Sequence, residues 1–118
     1  MNLEQAKAVC RAMPAASEDI KWGSNVVFSV GLKMFAIFGG SEAAPTLSFK
    51  VEDERFLELT DRPGIIPAPY LARAKWVQIA RPKALGDAEA AALLRRAHGL
   101  IVAKLSKKLQ REIGGQDQ

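Results

Sequence analysis

The chain contains one cysteine, one histidine and one tyrosine among its 118 residues. A lone cysteine, Cys10, excludes an internal disulfide, and no His or Cys stands near it at metal-ligand spacing. A lone histidine, His98, excludes paired-imidazole sites, and acid–base work by one helical histidine needs positioned partners that its neighbours do not supply. Apolar runs are short, and none approaches the roughly 20 residues that span a membrane. The opening MNLEQAK has no basic start followed by an apolar core, so no secretory leader is expected. A cytoplasmic setting follows as the simplest expectation, with no membrane contact.

Other signatures are missing too. Gly39-Gly40 lacks the further glycines and the lysine of a phosphate-binding loop. The acidic run Glu52-Asp53-Glu54 has no glycine-turn calcium loop around it and reads more cheaply as helix-end chemistry. No catalytic constellation assembles, so the expectation is a non-enzymatic protein without metal or cofactor.

What is present is ordinary for a globular domain: 48% hydrophobic and 25% charged residues. The length suits one domain with its own core, expected over 1–113, with 114–118 as a fraying tail. Charge is uneven. Residues 1–72 hold seven Lys/Arg against nine Asp/Glu, and residues 73–118 hold ten against four, so −2 and +6 make the net +4. A basic C-terminal half suits either a polyanion or a solvated rim.

Asn2 with Gln5 three residues later begins a helix, and Leu3, Ala6, Cys10 and Met13 stripe it. Pro14 ends it, and PAASEDIKWGSN reads as a loop. Two β-rich runs, Val26–Val30 and Lys33–Phe38, meet at Gly31-Leu32, a hairpin turn. TLSFKV continues with Leu47, Phe49 and Val51 inward, Ser48 and Lys50 outward. Asp53 caps a short helix that Pro63-Gly64 stops, and Trp76–Ala80 forms a further strand. Asp87 caps a long amphipathic helix to about Glu112, whose apolar stripe includes Leu94, Ala97, Ile101, Leu105 and Leu109. This order predicts an α+β fold: an antiparallel β-sheet with an N-terminal helix, a short middle helix and a long C-terminal helix.

The basic residues are the candidate contacts. Arg96, Lys104, Lys107 and Arg111 share one arc of the last helix at about 100° per residue. Arg73, Lys75, Arg81 and Lys83 surround the strand before it, and Lys33 sits on the hairpin. In GIIPAPYLARAKWVQIA, residues 64 to 80, Ile66 and Ala68 each precede proline, which favours an extended backbone presenting Tyr70 and Leu71.

Several segments together resemble the MmcQ/YjbR-like family. They are Lys21-Trp22-Gly23, Gly31-Leu32-Lys33-Met34-Phe35-Ala36, Leu47–Val51 and, most specifically, Pro63–Leu71 running into Ala74-Lys75-Trp76-Val77. The resemblance implies a small bacterial CyaY/YjbR-like domain with a double-wing arrangement and a predicted role in DNA binding. On that reading DNA meets Lys33, Arg73, Lys75, Arg81 and Lys83, and Lys104, Lys107 and Lys108 extend the footprint. The alternative is a protein-interaction or ligand-sensing module that uses Pro67, Pro69 and Tyr70 as an anchor. A monomer or weak homodimer is expected.

Overall fold

The computed structural model describes residues 1–116, which build one antiparallel sheet with helices against one of its faces. Helix α1 (Leu3–Arg11) precedes strands β1 (Ser17–Lys21), β2 (Asn25–Val30), β3 (Lys33–Gly40) and β4 (Pro45–Lys50). Then come α2 (Asp53–Thr60), β5 (Ile65–Pro67), β6 (Trp76–Ile79), α3 (Asp87–Val102) and α4 (Lys107–Gln116). The six strands lie in the order β1-β2-β3-β4-β6-β5, and every neighbouring pair is antiparallel. The predicted α+β architecture is the observed one.

The alternating pattern explains the core. Phe28, Phe38, Leu47, Phe49, Val77, Ile79 and Ile65 come from β2, β3, β4, β6 and β5 and share one buried cluster with Ala90, Leu94, Ala97 and Ile101 of α3. Helix α3 packs on β2, β3 and β4, α1 packs on α3, and α2 covers β5 and β6. Each fully buried large apolar side chain contributes about 1.5–3 kcal/mol by area removed from water, so this face dominates stability. Asn2 caps α1 as its position predicts, its side chain accepting from the Gln5 N–H at 3.0 Å.

Four local expectations change. The segment read as a loop contains β1, an edge strand whose five residues are all exposed. With no face to bury, it carries no apolar alternation to betray it. The two helix caps shift by one residue: Asp53 and Asp87 are the first helical residues of α2 and α3, after Glu52 and Gly86. The Asp87 carboxylate instead accepts the Asn2 N–H at 2.6 Å, tying the start of α1 to α3.

The long C-terminal helix is α3, and it ends at Val102 rather than continuing to Glu112. Ser106 starts α4 afresh: its Oγ accepts from the Leu109 N–H at 3.2 Å, and Gln110 Nε2 donates back to the Leu105 carbonyl at 2.8 Å. The helical arc projected from Arg96 to Arg111 therefore breaks between Lys104 and Lys107. Helix α4 also takes in residues 114–116 of the expected tail, and 117–118 lie outside the described residues.

Finally, Ser48 and Lys50 are buried rather than outward-exposed. The segment after β5 folds across the second face of the sheet, and Lys50 Nζ donates to the Ala74 carbonyl. Trp76, 4% exposed, is held beneath the same segment.

Candidate nucleic-acid interface

The β2–β3 hairpin turns at Gly31 and Leu32, with φ of 56° and 68°, between the paired residues Val30 and Lys33. Both central residues are left-handed, the geometry of a tight hairpin turn matched to strand twist. Gly31 also permits close approach: a methyl there would stand 2.6 Å from Leu105 Cδ1. The α3–α4 turn is thereby seated against the hairpin, which brings Lys104, Lys107 and Lys108 toward Lys33. Leu32 projects fully into solvent at the apex.

The same end of the sheet receives the start of β6. Lys50 of β4 pairs with Trp76, and the Val51 N–H donates to the Lys75 carbonyl at 2.9 Å. Lys75 adopts a left-handed φ of 61° and sets its ammonium 5.1 Å from the Phe56 ring centroid. Burial pulls the Lys50 ammonium below the usual lysine value, and nearby Lys104 and Lys75 push the same way while Asp53 opposes them. Lys33, Lys50, Arg73, Lys75, Lys104, Lys107 and Lys108 thus gather at one end of the fold.

Arg81 and Lys83 do not join them. They follow the other end of β6, beside Gly64 and the 3-10 turn Pro82–Ala84. That turn is held to the chain's first residue, whose ammonium donates to the Pro82 carbonyl at 2.9 Å.

Ion pairing separates the cations into two groups. Lys7, Arg11, Arg55, Arg62 and Arg96 are bound to carboxylates. Among the described residues, none of the eight candidate contacts forms an ion pair. One border is mixed in charge: the cleft that Lys50 and Lys104 line also holds Glu52, Asp53 and Glu54, and Arg96 Nε lies 3.1 Å from Glu52 there.

The side chains weighed for catalysis are used in packing. His98 Nε2 donates to the Pro14 carbonyl at 2.9 Å, and its ring meets Phe35 edge-on at 5.2 Å between centroids. Cys10 is wholly buried, and burial pushes its thiol up to about 12.

A second feature escaped sequence reasoning. On the sheet face away from the helices lies a groove of about 460 Å³ lined by Trp22, Asn25, Met34, Ile37, Ser48, Gln78 and the segment Ala68–Leu71. Pro67 ends edge strand β5, opposite Val77. Beyond it, the Leu71 N–H closes a turn on the Ala68 carbonyl at 3.1 Å, with Pro69 second and Tyr70 third. Tyr70 has φ 67°, in a position that normally takes glycine or asparagine. Trp22 is left-handed too, at 51°. Left-handed backbone costs an ordinary L-residue about 1–2 kcal/mol. Burial does not offset it, since Trp22 is 64% and Tyr70 104% exposed. Nothing in the sequence signalled this backbone, because φ is not legible in a residue name.

Six antiparallel strands backed by helices on one face define an α+β domain of a recurring type. The YjbR family model matches residues 11–100, and the chain belongs to the YjbR family. The fold is similar to that of Deinococcus radiodurans protein DR2400, which carries domain DUF419. The TM-score is 0.82 with 25% identity, over 96% of this chain and 88% of that one. A Pseudomonas syringae protein matches at TM-score 0.70 and 22% identity, over 85% of this chain and 98% of its own. No curated protein matches. Among the described residues no helix is long and apolar enough to cross a membrane.

Proposed function

We propose that the protein is a cytoplasmic, non-enzymatic nucleic-acid-binding domain that meets DNA with the basic end of its sheet. The supporting observation is the gathering of Lys33, Arg73, Lys75, Lys104, Lys107 and Lys108 there without carboxylate partners among the described residues. Cations left unpaired beside one another repel, and a phosphate backbone relieves that repulsion while releasing its own counterions. Lys107 and Lys108 begin α4, at the positive end of its dipole, where an anion is favoured and a lysine is not. The hairpin and the segment Tyr70–Lys75 form the two projections of this end. Arg81 and Lys83 belong to a separate patch and contribute little.

Non-enzymatic use is supported by what His98 and Cys10 already do in the core. The alternative, an anchor for a protein partner in the segment Pro67–Tyr70, draws on the full exposure of Tyr70. The cations beside that segment favour a polyanion over an apolar partner.

Fluorescence anisotropy with a duplex oligonucleotide at about 50 and 200 mM salt tests the proposal. The expected Kd at physiological salt is on the order of 10⁻⁴–10⁻⁶ M, weakening steeply as salt rises. Replacing Lys33, Arg73 and Lys104 together by Gln is expected to reduce the salt slope by roughly 2–3, while Arg81→Gln with Lys83→Gln leaves it unchanged. Absence of binding at low salt, or binding indifferent to salt, overturns the proposal.

A further inference from the structure

We propose that the groove on the open face of the sheet takes an unpaired base, making single-stranded nucleic acid the preferred partner. This rests on the nucleic-acid reading above and names the form of that partner.

Three observations converge on one groove. Its two exposed aromatics, Trp22 and Tyr70, both have left-handed backbones, so the fold projects them into solvent at a local cost without burying them. An exposed aromatic plane is what a nucleobase stacks on, whichever base it is. Other clefts lack this: the one between α1 and the start of α3 is walled by Ala6, Ala8, Ala90 and Ala91 and holds no aromatic.

The groove's floor is uncharged and mainly apolar, with Met34 and Ile37 set beside three polar side chains. Asn25 on β2, Ser48 on β4 and Gln78 on β6 face the same opening. Gln78 Nε2 reaches Ser48 Oγ only at 3.4 Å, a long bond that an incoming donor or acceptor can replace. Asn25 has space because Gly39 beside it has no side chain; a methyl there would lie 3.0 Å from Asn25 Oδ1. Amides that both donate and accept match the edge of a base, while Met34, Ile37 and Leu71 give its ring apolar contact. A volume of about 460 Å³ suits a small planar group.

Charge completes the fit. Lys21 immediately precedes Trp22, and Arg73 follows Tyr70 by three positions. Both are exposed, and neither pairs with a carboxylate among the described residues. A base held between the aromatics therefore has a cation available near each wall for the phosphates on either side. The Arg73 wall runs into the basic end, so one strand can engage both surfaces.

The test compares anisotropy for an oligothymidine of about 12 nucleotides with a duplex of equal length. Wild type is expected to bind the single strand more tightly. Trp22→Ala and Tyr70→Ala are each expected to weaken single-strand binding by about 5- to 150-fold, and Trp22→Ala to leave duplex affinity and salt slope unchanged. Tyr70→Phe, which keeps the plane, is expected to retain binding. In NMR spectra, the side-chain amide signals of Asn25 and Gln78 are expected to shift as thymidine monophosphate is added, and circular dichroism checks that each variant is folded. Undiminished single-strand binding by folded Trp22→Ala and Tyr70→Ala overturns the groove as a base site and leaves the basic-end reading standing. Absence of binding to either oligonucleotide at low salt overturns both.

Discussion

Tyr70 concentrates the relation between strain and use in one residue. It occupies the third position of a turn after Pro69 at φ 67°, exposed and therefore without burial to offset the backbone cost. Tyr70→Gly is expected to stabilise the protein by about 0.5–1 kcal/mol: relief of the left-handed strain exceeds the extra entropy glycine gives the unfolded chain. Urea denaturation of wild type and variant decides it, and a destabilised variant would mean that Tyr70 holds the loop down. Its exposure was legible from PAPYL, since proline on either side of Ala68 stiffens the approach. Its strain was not legible, because tyrosine has no intrinsic preference for the left-handed region. Lys50 shows the opposite limit: alternation placed it outward, and only the segment crossing above it turned outward into buried.

At the scale of elements, the β3–β4 connection is the most constrained. Gly40 has φ 78°, and a methyl added to it would collide with the Ala44 carbonyl oxygen. Backbone cannot yield as a flexible side chain does, and Ser41 and Ala44 are already bound to each other in both directions. Gly40→Ala is expected to cost about 1–3 kcal/mol in chemical denaturation, spread across the pairing of two central strands. A change below about 0.5 kcal/mol would show that the loop can re-form around a side chain.

Elements with a buried face were readable as elements. β2, β3, β4, β6 and the apolar stripe of α3 follow period and composition. Elements without one were not: β1 is exposed throughout, and the α3–α4 break depends on Leu105 fitting against Gly31. Such a break is decided by contacts between segments distant in sequence, which a helical projection does not contain.

For the whole molecule, ion pairs link separate layers. Arg62 after α2 binds Glu89 on α3 at 2.8 Å, and the guanidinium holds the Glu89 carboxyl below its usual value. A depressed carboxylate contributes stability above its unfolded value and loses it as pH falls through the folded one. Glu89→Gln is therefore expected to cost about 0.2–1 kcal/mol near pH 7, the range for a partly exposed pair, and almost nothing near pH 3. Urea midpoints at the two pH values check this, and a difference that persists in acid would assign the loss to packing.

The sequence by itself determined the α+β class, the helix-facing core and the excess of positive charge in the C-terminal half. Those follow from local period, composition and net charge, which fold into place with little choice. Tertiary structure alone decided which cations share a surface. It joined Lys33 to Arg73, Lys75 and Lys104 across long stretches of chain, and sent Arg81 and Lys83 to the opposite end because β6 runs between them. It also laid Tyr70 over the face that Trp22 borders. A site is a coincidence of positions in space, and antiparallel pairing with a crossing loop creates that coincidence from residues the chain keeps apart.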